Sequence, residues 1–282
     1  NTVRVGFERV SNILKFPRFV KKTDVSYAGM VASWFIPDGY GKTKTILYLH
    51  GGGYVVGSHN THRALIGRIA RASGCRALAV NYRKAPEFPY PAAVEDAVAA
   101  YKQMLADGYE NIVIMGDSAG GGLTLALIQM IRNHKLPRAA GAVLLSPWTD
   151  LTLSGDSIHS KKDADPLIQP HLLEIFSKRY YGDAHPTDPL ISPLFADLKG
   201  FPPTLIQVGT NEILLDDSTR LAQKMHKAGV DVTLDVYENM MHVWQFFGGL
   251  MPEANSAIET IGNFVKNIKV TTKSDRLDTL AV

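Results

Sequence analysis

Short apolar runs recur along the chain at Lys44–Leu49, Arg76–Tyr82, Asn111–Met115, Gly141–Ser146, Pro203–Val208 and Val232–Tyr237. They are rich in Val, Ile and Leu and are bounded by Gly, Pro, Asp or Asn, which predicts buried strands. Between them lie segments with helical spacing, roughly 61–73, 91–104, 122–131, 217–228 and 253–269. Pro91 opens one of these, as proline suits a first helical turn. Upstream, Thr23–Ala28 and Val31–Ile36 read as two strands joined through Gly29, the second ending at the turn Pro37-Asp38-Gly39. Val3, Phe7, Val10 and Leu14 are helically spaced and predict a short amphipathic helix.

From Leu151 to about Pro186 the strand runs disappear, and one helix, His171–Tyr181, carries Leu172, Phe176 and Tyr180 on one face. Strands alternating with helices predict an α/β fold: a mostly parallel central sheet with helices on both faces. The expected division is a core of 21–152 and 187–269, a cap of 1–20 and 153–186, and a mobile, aperiodic tail, 270–282.

In such sheets the site lies beyond the carboxyl ends of the strands. His50, Ser118, Glu212 and His242 all fall just after predicted strands. Ser118 sits in Gly116-Asp-Ser-Ala-Gly120 between a strand and a helix, the context of a nucleophile elbow. A serine hydroxyl needs a base, and the base needs a carboxylate to fix its tautomer. His242, after the last strand, is the expected base, with His50 the competitor. Glu212 is the expected acid. Asp216 and Asp217 are rivals that lie where the next helix starts. Ser, acid, His is the chain order of α/β-hydrolases.

The loop His50-Gly51-Gly52-Gly53-Tyr54 follows a strand and can turn amides toward one point. It lacks the Lys-Ser/Thr of a phosphate-binding P-loop. Its expected role is an oxyanion site formed by the Gly51, Gly52 and Ala119 amides. His59 and His62 are three apart but have no third ligand nearby, so they read as the start of a helix and no metal is expected.

Composition narrows the class. Hydrophobic content of 45% with 20% charged residues suits a globular protein with a full core. A net charge of +3 without a large basic cluster gives no nucleic-acid footprint. The single Cys75 excludes an intramolecular disulfide framework and fits a reducing, cytoplasmic setting. No apolar run approaches the ~20 residues of a membrane span. No signal peptide is visible, and the start at Asn1 rather than Met leads us to expect a missing native N-terminus.

The motifs His50-Gly-Gly-Gly, Tyr82-Arg-Lys-Ala-Pro-Glu87, Gly116-Asp-Ser-Ala-Gly-Gly121, Leu145-Ser-Pro-Trp-Thr-Asp150, Ser192-Pro-Leu-Phe195 and Met241-His-Val-Trp244 resemble those of the hormone-sensitive-lipase-like α/β-hydrolases, the bacterial carboxylesterases. The resemblance runs from about residue 23 to 268. It implies an eight-stranded sheet with a helical cap, hydrolysis of short-chain esters, no cofactor, and a homodimer through the last strand or helix. Two departures stand out: Glu212 replaces the family's frequent Asp, and the N-terminal cap looks shortened. Tyr54, Trp148, Trp244, Phe7, Phe176 and Tyr180 are candidate pocket residues. Amidase or deacetylase chemistry would use the same triad. A non-catalytic small-ligand receptor is the alternative from another class.

Overall fold

The computed structural model describes Arg4, Gly6, Glu8 and residues 14–270. Most of the helix expected between Val3 and Leu14, including Phe7, lies outside the described residues, as does the tail from 271 onward. Among the described residues there are eight strands and seven α-helices. The strands are β1 (Val20–Tyr27), β2 (Met30–Pro37), β3 (Gly41–Leu49), β4 (Cys75–Val80), β5 (Asn111–Asp117), β6 (Gly141–Leu145), β7 (Thr204–Gly209) and β8 (Val232–Tyr237). They form one sheet in the order β1-β2-β4-β3-β5-β6-β7-β8. β1 and β2 are antiparallel, joined by a two-residue hairpin in which Ala28 and Gly29 both have positive φ. β2 is also antiparallel to β4, and all remaining pairings are parallel.

The central strands are buried on both faces, and their period of two divides the core. Ile46, Tyr48, Val113, Met115, Val143 and Leu145 point to one side. There they meet Leu65, Ile66 and Ile69 of α1 (Arg63–Ser73) and Ile258, Ile261 and Val265 of α7 (Pro252–Asn267). Leu47, Leu49, Ile112, Ile114, Leu144 and Ile206 point to the other side, under α2 (Ala92–Ala106), α3 (Ala119–Asn133) and α6 (Leu215–Lys227). Continuous apolar runs therefore mark strands covered by helices on both faces.

Residues 151–203 contribute no strand. They carry α4 (Ser157–Ser160), α5 (Pro170–Tyr181) and a 3-10 turn at Pro193–Phe195. α4 spans a single turn, too short to show a helical period in the chain. α3 starts at Ala119, earlier than the expected Gly122. Its three glycines are helical despite poor helix propensity, because close approach to neighbouring chain outweighs it.

Asp217, in the first turn of α6, ties the loop after β6 to that helix. Its Oδ2 accepts the amides of Thr149 (2.6 Å) and Asp150 (2.9 Å), and its Oδ1 is buried without a partner. Burial, with the Asp150 charge adding to it, pushes the carboxyl up to about 7. An unfolded aspartate titrates near 3.8. Between those values the folded chain keeps a proton that the unfolded chain has released. This residue therefore favours folding in acid and costs stability as pH rises from about 4 to about 7. Asp217→Asn cannot titrate and keeps an acceptor for both amides. Its Tm relative to wild type should rise by at least ~2 °C between pH 5 and pH 8, since 1 kcal/mol is roughly 2–4 °C at this size. A pH-independent difference in thermal melts would refute this account.

Candidate active site

β3 and β5 are adjacent at the point where strand order reverses, which opens a crevice at their carboxyl ends. Leu49 pairs with Gly116, so the His50–Gly51 and Asp117–Ser118 segments leave the sheet side by side. Ser118 adopts φ 52°, ψ −123°, a sparsely populated conformation. Its N–H donates to the Leu145 carbonyl at 2.8 Å, and its carbonyl accepts from Gly121 (2.9 Å) and Trp148 (2.9 Å). Gly116 and Gly120 make the turn sterically feasible. A Cβ on Gly116 would lie 2.2 Å from the Gly120 carbonyl oxygen, and one on Gly120 would lie 2.0 Å from that of Leu49.

His242 follows β8, and Glu212 follows β7. His242 Nδ1 lies 2.8 Å from Glu212 Oε2, with the carboxylate fully buried. The other oxygen, Oε1, accepts the Gly209 amide at 2.5 Å and the Ser146 hydroxyl at 2.9 Å. Ser146 Oγ also accepts the Val243 amide at 3.2 Å. Burial disfavours the His242 imidazolium. The Glu212 hydrogen bond and charge outweigh that, and the imidazole is held above its ordinary value.

The rival acids are engaged elsewhere. Asp216 Oδ2 accepts the Ser157 amide (2.8 Å), and Asp217 holds the Thr149–Asp150 turn. His50 is buried, stacked on Tyr82 with ring centroids 4.3 Å apart. Its Nδ1 lies 2.8 Å from the Gly51 carbonyl oxygen, and burial lowers its pKa well below the usual imidazole range. It braces the glycine loop as a neutral ring.

One expected oxyanion donor needs correction. The Gly51 N–H donates to Asp117 Oδ1 at 3.0 Å, with His62 Nε2 at 3.3 Å, so it points into the protein. Gly52 and Gly53 follow with φ of 113° and 60°. Ala119, the first residue of α3, has an N–H without an intrahelical acceptor.

The aromatic candidates divide. Trp244 is fully buried against Ala254, Ala257 and Tyr237, with the Tyr237 ring 4.7 Å away. Trp148 is also fully buried and donates from Nε1 to the Asp150 carbonyl. Both are corrected from pocket residues to loop anchors, because neither has surface for a ligand. Tyr54 and Tyr180 are buried and stack on each other at 3.6 Å. Phe176 of α5 is only half-buried and lies over the glycine loop, where its ring would sit 2.1 Å from a Cβ on Gly53.

Other contributors were not singled out from sequence. Arg4 donates to the Val55 and Ala85 carbonyls (both 2.7 Å) and pairs with Glu87. The Ser58 hydroxyl donates to Glu8. Arg4 and Glu8 thus fasten the chain just past the glycine loop. Buried Asp165, from the 151–203 segment, accepts the Ile213 amide beside Glu212 (3.0 Å). Ser146 carries a positive φ of 44° at a strand end, a strain no sequence pattern displays. Among the described residues no cluster of three or more His, Cys, Asp or Glu could hold a metal, and no helix is long and apolar enough to cross a membrane.

Comparisons with known proteins agree with this geometry. A family model described as alpha/beta hydrolase fold matches residues 46–246. The structure of an esterase from the bacterial hormone-sensitive lipase family superposes with a TM-score of 0.92 at 42% identity, covering 94% of this chain and 90% of that one. A structure of the enzyme EstE5 soaked with p-nitrophenyl butyrate gives 0.91 at 45% identity, again covering 94% and 90%. An acetyl-hydrolase of Streptomyces hygroscopicus is 42% identical over 247 residues, 86% of this chain and 81% of its own. The chain belongs to the α/β-hydrolase fold family, in its bacterial hormone-sensitive-lipase branch, and is an esterase of the carboxylic-ester hydrolase class.

Proposed function

We propose that the protein hydrolyses short- to medium-chain acyl esters through an acyl-enzyme on Ser118, with His242 as base and Glu212 as its acid. The observation that carries this reading is the 2.8 Å contact between Glu212 Oε2 and His242 Nδ1 beside the strained Ser118 turn. A carboxylate at Nδ1 keeps the proton there and leaves the Nε2 lone pair as the base. Nε2 takes the Ser118 proton as Oγ attacks the ester carbonyl. Negative charge develops on the carbonyl oxygen and is met by the amides of Gly52, Gly53 and Ala119, one residue further along the loop than the sequence suggested. The C–O bond then breaks, and the alcohol leaves with the proton from His242. Water, deprotonated by the same base, attacks the acyl-enzyme and releases the acid.

Residues 1–20 and 153–186 are read as the cap. Phe176, over Gly53, would limit the acyl side, while the Tyr54–Tyr180 stack, buried like the two tryptophans, backs the glycine loop and does not itself face a ligand. The outer edge of β8, which pairs with no strand among the described residues and where Val236 is exposed, is the surface for the homodimer that the family resemblance implied.

Ser118→Ala should abolish hydrolysis of p-nitrophenyl butyrate, by 10³-fold or more, without lowering Tm; retained turnover in pure, folded protein would exclude Ser118 as nucleophile. The acid limb of the kcat/KM profile should lie above the ordinary imidazole value, because catalysis needs neutral His242 and Glu212 favours the cation. Glu212→Gln should cut kcat by ~10² or more and move that limb to lower pH. Asp216→Asn should do neither, and the reverse pattern would move the triad. Finally, Phe176→Ala should shift the optimum on a panel of p-nitrophenyl esters toward longer acyl chains. An unchanged profile would remove Phe176 from the acyl site.

A further inference from the structure

Asp117, immediately before Ser118, is a buried carboxylate that the acyl-transfer steps do not use. Its Oδ1 accepts the Tyr48 hydroxyl (2.8 Å) and the Gly51 amide (3.0 Å), and its Oδ2 lies 3.2 Å from His62 Nε2. Tyr48 belongs to β3, Asp117 ends β5, Gly51 opens the glycine loop and His62 precedes α1. Three other parts of the chain therefore converge on the Asp117 side chain. His62 is fixed from behind as well. Its Nδ1 lies 2.7 Å from Thr61 Oγ1 and 3.1 Å from the Ser58 carbonyl oxygen. Its ring meets Phe246 edge-on at 4.9 Å, in the turn that follows His242.

We propose that His62, acting through Asp117, is a positioning residue that holds the glycine loop in register with the Ser118 turn and so pre-forms the oxyanion site. The inference rests on the oxyanion role proposed for Gly52 and Gly53. Glycines have no side chains to anchor their own loop, and an amide stabilises a developing oxyanion only if its N–H is already aimed. Fixing the Gly51 amide on the nucleophile strand sets the direction in which the next two amides leave. The bond suits this task, because amide donation to an ionised carboxylate is stronger than to a neutral acceptor. Burial pushes the Asp117 carboxyl up, but His62, Tyr48 and Gly51 together hold it below the usual aspartate range. A neutral or displaced Asp117 would release the loop while leaving Ser118, His242 and Glu212 in place.

A purely structural role for the pair would lower Tm and the fraction of active molecules, and leave turnover per active site alone. The test compares wild type with His62→Leu, which removes both ring nitrogens, and His62→Gln, whose amide can still donate to Asp117. Active sites are counted by stoichiometric labelling with a sulfonyl fluoride, and kcat and KM for p-nitrophenyl butyrate are expressed per labelled site. Binding of a short alkyl trifluoromethyl ketone, which forms a tetrahedral adduct, provides the second readout. His62→Leu should lose about tenfold or more in kcat with KM within twofold, and should lose affinity for the ketone by a similar factor. His62→Gln should recover most of both. Unchanged kcat per site in folded His62→Leu, or a change in KM alone, overturns the proposal. If His62→Leu fails to accumulate, Asp117→Ala, which removes the acceptor of the Gly51 amide, makes the same comparison, and wild-type kcat per labelled site there likewise overturns it. Failure of wild type to react with the sulfonyl fluoride would instead sink the assignment of Ser118, a distinguishable result.

Discussion

The arrangement depends on the backbone of one residue, Ser118. A non-glycine residue at φ 52°, ψ −123° costs of order 1–3 kcal/mol and persists only when its surroundings over-determine it. Here its amide is held by the last residue of β6, and its carbonyl by Gly121 and by Trp148 in the loop beyond β6. Those bonds exist because Asp117 pairs with Leu145 across the parallel ladder. The next residue of that chain, Ser146, is itself at positive φ and joins Glu212 to the Val243 amide. Val243, a β-branched residue, is at positive φ too. Three improbable backbone conformations thus lie close together at the sheet's edge: the Ser118 amide is held by Leu145, one residue before Ser146, and the Ser146 hydroxyl accepts the Val243 amide.

Two buried carboxylates flank this turn and solve the same physical problem in the same way. An ionised carboxylate taken out of water is costly unless donors replace the lost hydration. Glu212 receives the Gly209 amide and the Ser146 hydroxyl, and its second oxygen faces His242. Asp117 receives the Gly51 amide and the Tyr48 hydroxyl, and its second oxygen faces His62. The charge of Asp117 also favours the His242 cation, as does that of Asp165. The edge of the sheet therefore surrounds its imidazole with negative charge before any substrate arrives. That is the environment His242 needs in its proposed role as the base, which becomes an imidazolium during attack.

Much of this was legible in the chain. Apolar runs bounded by turns located the strands, because strands buried on both faces cannot hide their composition. Strand-end placement brought His50, Ser118, Glu212 and His242 to one edge. Finer matters were hidden for physical reasons. Glu212, Asp216 and Asp217 lie within about one helical turn, and only the path of the chain into α6 decides which of them faces His242. Trp148 and Trp244 each follow a motif, and an aromatic ring in a loop can turn inward or outward with equal local cost. Gly51 is set apart from Gly52 by the Asp117 side chain beneath it, a contact between residues 66 apart in sequence. Ser146 and His62 are common residue types whose importance comes from contacts 66 and 55 residues away in sequence.

The coupling between cap and core follows from where the glycine loop is held on its outer side. Tyr54, the residue after Gly53, is at φ 62° and stacks on Tyr180, while Phe176 of the same helix lies on Gly53 itself. The carbonyl of Tyr180 in turn accepts the amide of Tyr90 in the proline-rich stretch Arg83–Pro91 between β4 and α2, and Ala85 of that stretch donates to the Tyr54 carbonyl. Asp117 and His62 grip the loop from within, and α5 grips it from above. A shift of α5 to admit a larger acyl group would therefore also move the proposed oxyanion amides. On the proposed reading, acyl-chain selection by Phe176 and stabilisation of the developing charge by Gly52 and Gly53 are tied to the same few residues of backbone.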